Sequence, residues 1–224
     1  MACLLLGAVL VLLLLGTLSV CVPTQIPAML APPTQVRFKS MDYTNILHWT
    51  SPTNSSSLQY YVQWKIYGEL NWLDVDDCQG IVKHQCDLSS VTSDTREWYY
   101  ARVRATSLST SSKSAWVLSP RFSPRWDTEI SAPALKLNFT LQGIVVRVKP
   151  PRVLVRKMHS SLHHQIFVIN NSGEEEVFEM ACCSNKLTLK KLIHNAKYCL
   201  EAQTIIFPQA KTSARSSAKC FTML

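Results

Sequence analysis

Glycine is scarce in this chain, 6 in 224 residues, and no glycine-rich phosphate loop, G-x-S-x-G or H-E-x-x-H occurs in it. Those absences exclude the common nucleotide-binding frames and the signatures of α/β-hydrolases and zinc proteases. C-x-x-C is missing too, which removes the usual pointer to structural zinc or thiol redox chemistry. Six histidines are present, His48, His84, His159, His163, His164 and His194, none beside a recognisable Ser, Cys or Asp motif. His159 and His163 have helical i, i+4 spacing, yet their Ser-rich surroundings read as exposed loop histidines and not as metal ligands. No catalytic residue, metal, cofactor or nucleic-acid partner is expected. So few glycines also predict that tight primed hairpins are rare and that Ser/Asn/Pro loops join the strands.

Long hydrophobic runs are confined to the beginning. Leu4 to Leu18 is apolar apart from Gly7, Gly16 and Thr17, and small residues follow up to Val22, so residues 1–21 read as a cleaved signal peptide. Later runs such as Ile144 to Val148 fall far short of the about 20 residues a spanning helix needs. The C-terminus has neither a glycolipid-anchor tail nor an ER-retention tetrapeptide. The expected product is secreted, with no membrane anchor.

About 200 residues then remain, enough for two modest domains. They hold Cys78, Cys86, Cys182, Cys183, Cys199 and Cys220, which in an oxidising compartment favour disulfides over metal. Cys78 and Cys86 bracket a short loop, and Cys199 with Cys220 would tie two late strands, but six cysteines allow fifteen connectivities. Cys182 and Cys183 are adjacent and fit a strained ring, free thiols or a link to another chain. Asn54, Asn138 and Asn170 begin N-glycosylation sequons, which suit a secreted protein.

The periodicity is that of strands. At Gln59 to Tyr67, Tyr60, Val62, Trp64 and Ile66 share one face, and at Trp98 to Ala105, Tyr99, Ala101, Val103 and Ala105 do the same. Gln35–Ser40, Thr44–Thr50, Leu141–Val148, His163–Asn170, Val177–Ala181, Lys186–Leu192, Ala196–Ile206 and Ser216–Thr222 fit further strands, with no convincing amphipathic helix between them. Spacing of ten or so residues with polar turns predicts an all-β fold of two sandwiches, residues 32–130 and 131–224, with proline-punctuated Ser119–Pro133 as the linker. Trp116 follows the strand whose outward Arg102 and Arg104 could stack on it, at about 0.5–1 kcal/mol per contact. Arg147, Lys149, Arg152, Arg156 and Lys157 form an acid-free basic window within a formal charge of +8, a candidate glycosaminoglycan contact.

Several segments together resemble the class II helical-cytokine receptors. They are Gln35 to Phe38, Asn45 to Trp49, Tyr61 to Gly68, Cys86-Asp87-Leu88 with Thr92-Ser93-Asp94, Tyr99 to Ala105, Pro120 to Pro124, Phe167 to Ser172, and Tyr198-Cys199. The resemblance implies two tandem fibronectin type III domains joined at an angle, with Cys78–Cys86 and Cys199–Cys220 disulfides. It implies a helical cytokine of the interleukin-10 family as partner, interleukin-22 foremost, and action as a soluble decoy. The ectodomain of a membrane member such as the interleukin-20 receptor β chain, and a tissue-factor-like protease cofactor, are the alternatives. By position, the family's binding loops fall at Tyr67-Gly68 and Asp94-Thr95-Arg96, with weaker carry-overs at Val153-Leu154-Val155 and Phe207-Pro208. An aromatic beside glycine makes a flat anchor, and Asp94 and Arg96 could meet charges on a helix.

Overall fold

A computed structural model of the chain describes residues 29–53, 57–141, 143–149, 151–182, 186–190 and 192–223. The expected leader 1–21, Asn54 and Cys183 lie outside the described residues. The first half contributes β1 (Thr34–Met41), β2 (Thr44–Thr50), β3 (Leu58–Ile66), β4 (Leu73–Ile81), β5 (Gln85–Asp87), β6 (Tyr99–Ser107) and β7 (Val117–Leu118). They form two sheets, β1-β2-β5 and β4-β3-β6-β7. After a short helix α1 (Pro124–Asp127) come β8 (Leu135–Thr140), β9 (Gly143–Val148), helix α2 (Val153–Met158), β10 (Leu162–Asn170), β11 (Glu175–Ala181), β12 (Leu187–Leu189), β13 (Lys197–Ile206), β14 (Lys211–Thr212) and β15 (Lys219–Thr222). These give β8-β9-β12 facing β11-β10-β13-β14, with β15 also paired to β13. The chain is all-β, two tandem sandwiches of fibronectin type III form.

The strands with the cleanest alternation lie at the centre. In the β3–β6 ladder two inward pairs set large against small, Tyr60 opposite Ala105 and Trp64 opposite Ala101, with Val62 opposite Val103 between them. That complementarity fills the layer without clashes, and Tyr60, Val62, Tyr99, Ala101, Val103 and Ala105 are all buried. Outside this sheet Arg102 stacks on Trp116 (4.6 Å) and on Trp72 (4.2 Å), and Arg104 on Trp116 (4.6 Å) and Tyr61 (5.5 Å). The second core is aliphatic at its centre, built on Ile144, Val146, Ile166, Leu200 and Ala202, with Met180 and Tyr198 also buried in it. A disulfide joins Cys78 to Cys86 and so ties β4 to β5 across the two sheets; another joins Cys199 to Cys220, direct partners on β13 and β15. Cys182 is disulfide-bonded as well.

Four expectations are corrected. Leu141–Val148 is not one strand: Gly143 sits at φ +125°, and a Cβ there would lie 2.2 Å from the Leu189 carbonyl oxygen, so the chain turns at this point and only Gly143 onward is β9. The turn between β1 and β2 is a tight two-residue one made without glycine, Asp42 and Tyr43 both at positive φ (51° and 67°). Two short helices interrupt the strands. Ser119–Pro133 is no slack linker: Phe122 pairs with Tyr99, and Glu129 exchanges backbone hydrogen bonds with Ser40 and Asp42, which pins the segment to both sheets of the first sandwich.

Candidate functional site

The Asp42-Tyr43 turn is held at positive φ because its side chains are clamped where the two sandwiches meet. Asp42, 2% exposed, accepts from the Ser131 amide (2.9 Å) and the Ser131 hydroxyl (2.6 Å), with Arg152 Nε 3.6 Å away. The Tyr43 amide donates to Thr128 Oγ1 at 3.0 Å. Its ring packs with Ile130, Val155, Leu162 and Ile206 into a small core of its own. Burial pushes the Tyr43 phenol up to about 12, against a smaller lowering by Arg125, and burial pushes the His159 imidazole down, helped by Lys211 and Arg125. The phenol therefore keeps its proton, the imidazole is neutral, and the Tyr43 hydroxyl is hydrogen-bonded to His159 Nε2. Lys211 completes the junction by donating to the carbonyls of Trp126 and Thr128.

His159 is thus buried, not an exposed loop histidine, because Tyr43 covers it from 116 residues away. His163 is half-buried against Phe207, ring centroids 4.8 Å apart and edge-on. Among the described residues no group of three His, Cys, Asp or Glu side chains could hold a metal.

Loops from both sandwiches come together at this junction. A cavity of about 160 Å³ is lined by Thr95 of the β5–β6 loop, Met158 to Ser161 after α2, Ile206 and Gln209 at the β13–β14 turn, and Tyr43 and Arg125 between them. Thr95 is the sequence-expected residue brought directly to this cavity. Tyr67, 57% exposed, is fixed at its base, where its amide donates to the Trp98 carbonyl (2.7 Å) and its ring sits beside Tyr100 and Arg121. Gly68 takes φ +93° with open space where a side chain would be. Asp94 and Arg96 are paired with each other, Arg96 donating at 3.0 and 2.7 Å to the two carboxylate oxygens, and those hydrogen bonds hold Asp94 at about 2. To meet a partner's charges the two must first part.

Phe207 is 53% exposed at the β13–β14 turn, with Pro208 beside it in a short 3₁₀ turn. Of the Val153-Leu154-Val155 carry-over, Val153 and Leu154 are exposed, but Val155 is fully buried in the junction core. Exposed Leu70 and Trp126 were not anticipated from sequence. Exposed aromatic and aliphatic side chains on short, anchored loops suit macromolecular recognition. Of the sequons, Asn138 is half-buried in mid-β8, and Asn170, ending β10, donates to Glu174 at 2.8 Å while its carbonyl accepts from Ser172.

Comparison with known proteins covers both halves. Residues 5–116 match the tissue factor family model, and residues 128–223 match the fibronectin type III model of the interferon-alpha/beta receptor. The chain is 32% identical to interleukin-22 receptor subunit alpha-2 of Mus musculus over 201 residues, 84% of this chain and 86% of that one. The Homo sapiens counterpart is 29% identical, with 84% and 87% covered. Human interleukin-20 receptor subunit alpha is also 29% identical, but only 36% of its length is matched. Among solved structures, the chicken interferon gamma receptor alpha chain superposes with a TM-score of 0.72 at 25% identity, over 86% of this chain and 98% of that one.

Proposed function

The chain belongs to the class II cytokine receptor family, and from that premise we propose that it is a secreted decoy receptor, one that captures a helical cytokine of the interleukin-10 family and withholds it from the signalling receptor. Interleukin-22 is the first candidate ligand. The observation that carries this reading is the likeness itself: 32% identity to the mouse interleukin-22 receptor subunit alpha-2 over 84% of this chain. On this reading residues 1–21 are the cleaved leader, the domains divide between residues 130 and 131, and Asn54, Asn138 and Asn170 carry glycans.

The contact is assigned to Tyr67-Gly68, Asp94-Thr95-Arg96 and Phe207-Pro208. Tyr67 is the anchor, since an exposed tyrosine already fixed at its backbone loses little entropy when it is covered. Purified chain is expected to bind interleukin-22 at nanomolar affinity in surface plasmon resonance, and Tyr67→Ala to weaken it tenfold or more. Binding to other interleukin-10-family members only would replace the ligand; unchanged affinity in the variant would remove this loop from the site. A second reading, a protease cofactor, draws on the tissue factor match of the first half. Acceleration of a serine protease by the purified chain, with no cytokine bound, would favour it. A transcript encoding a spanning helix beyond Leu224 would instead favour a soluble form of a membrane receptor.

A further inference from the structure

The formal charge is unevenly divided. Residues 1–130 hold ten Lys/Arg and ten acids, while residues 131–224 hold thirteen Lys/Arg and only five acids, so the excess of +8 lies in the second half. Its acids, Glu174, Glu175, Glu176, Glu179 and Glu201, all lie on or beside β11 and on β13, in one sheet. The opposite sheet, β8-β9-β12, has none.

On that sheet Lys136 of β8 pairs directly with Arg147 of β9. The Leu187–Val146 pairing sets Lys186 next in line beside Arg147. Three cations therefore run in a row, Lys136 on β8, Arg147 on β9 and Lys186 just before β12, spaced by roughly the 4.8 Å between neighbouring strands, and Lys149 flanks the row just past the end of β9. These four exposed side chains line one open groove of about 700 Å³ floored by Leu135 and Val148. None of them forms an ion pair among the described residues. Like charges side by side across strands destabilise a sheet, so the row does not serve the fold. The basic window of the sequence is divided accordingly: Arg152 faces Asp42 at the junction, Arg156 and Lys157 ride on α2, and Arg147 and Lys149 join Lys136 and Lys186.

We propose that this groove binds a sulfated glycosaminoglycan chain, its sulfates and carboxylates lying along the Lys186-Arg147-Lys136 row. Among the described residues no aromatic side chain lines the groove to stack on a nucleobase, and its apolar floor is buried and so has nothing to insert into lipid. What remains is a comb of point charges for a linear polyanion.

The test uses the full chain from mammalian cells, so that any Asn138 glycan, on the same face two residues along β8, is present. Binding to immobilised heparin is measured for the wild type, for Lys136→Ser/Arg147→Ser/Lys149→Ser, and for a control of equal charge change in the first sandwich, Arg37→Ser/Lys83→Ser/Lys113→Ser. The groove variant is expected to lose at least tenfold in affinity and the control less than threefold. Lys186→Ser alone, expected to lose about threefold, carries the test if the triple variant does not fold. Equal losses in the groove variant and the control would overturn the proposal. So would full retention of binding by desulfated heparin, or tighter binding to phosphatidylserine vesicles or single-stranded DNA.

Discussion

In the first sandwich the Ser114 hydroxyl accepts from the Ala105 amide (2.9 Å) and the Ser119 hydroxyl from the Ala101 amide (3.1 Å). In the second, Ser213 accepts from Thr204 (2.9 Å) and Ser216 from Ala202 (3.0 Å). Each serine then donates to the carbonyl of the residue after it. Both straps thus satisfy amides of the central strand that would otherwise be buried and unpaired, four residues apart in the first sandwich and two apart in the second. What sits between the serines differs. Trp116 of the first strap receives Arg102 and Arg104 from the sheet, whereas Arg215 of the second lies over Phe167 at 3.5 Å and pairs with Glu175 and Glu201. Cation and ring have exchanged places on serine straps of the same kind but different spacing. The serines fix where each strap runs, and either partner of the stack can then be supplied from it.

The largest expected break in this parallel comes from the disulfides. Loop closure alone ranks Cys199–Cys220 higher, with 21 residues of separation against 8 for Cys78–Cys86, about 3 against about 2.5 kcal/mol. Burial reverses the order. Cys78 and Cys86 are both in the core, so serines there bury hydroxyls at a further ~1–2 kcal/mol, while Cys199 is half-buried and Cys220 exposed. Urea unfolding of Cys78→Ser/Cys86→Ser is expected to show about 4 kcal/mol lost, against about 3 for Cys199→Ser/Cys220→Ser. The opposite ranking would mean that chain entropy dominates over core packing here.

Next come the straps. Trp116→Ala removes a half-buried ring stacked on two guanidiniums, about 2 kcal/mol. Arg215, with its side chain 41% exposed, sits in solvent-screened pairs, and Arg215→Ala is expected to cost about 0.5–1 kcal/mol. Ser119→Ala and Ser216→Ala should instead cost the same, about 1–2 kcal/mol each, since each orphans one buried amide. Unequal serine costs in thermal melts would show that the straps are alike in kind only.

The central strands were legible because β3 and β6 hold period two for nine residues and bury one face each. The edge strand β4 was not: its pairing with β3 slips twice, and Gly80 takes positive φ, so inward residues fall out of alternation. β8 was not legible at all, and the strand read from Leu141 begins before a turn that the φ of +125° at Gly143 and the nearby Leu189 carbonyl make obligatory for glycine. At the candidate site, loops such as Tyr67-Gly68 could be placed by resemblance, and exposure of Tyr67 fits that placement. The junction could not be read, because Asp42, Tyr43 and His159 owe their burial to partners 85 to 116 residues away. No local pattern encodes such a contact.

The smallest contrast is in pH. The second half and its junction bury His159 and His164, both pushed down chiefly by burial, and His164 Nδ1 sits 3.2 Å from Thr204 Oγ1. The first sandwich has only half-buried His48 in that position, pushed down by burial and then by Lys39 and Arg37. A histidine whose folded pKa is depressed binds fewer protons folded than unfolded, so its stability contribution is present above the unfolded value near 6.5 and falls as pH drops below it. Calorimetry from pH 7 to pH 5 is expected to lower the second sandwich's transition by a few degrees, roughly 4–8 °C per kcal/mol lost for a domain of this size, and the first sandwich's by less. His164→Gln, which keeps a partner for Thr204, should flatten that slope. His159→Gln should flatten it as well, because below pH 6.5 the wild-type ring would have to carry a proton opposite the Tyr43 hydroxyl with Lys211 and Arg125 already near. If both transitions fall together in the wild type, the acid sensitivity lies outside these two rings.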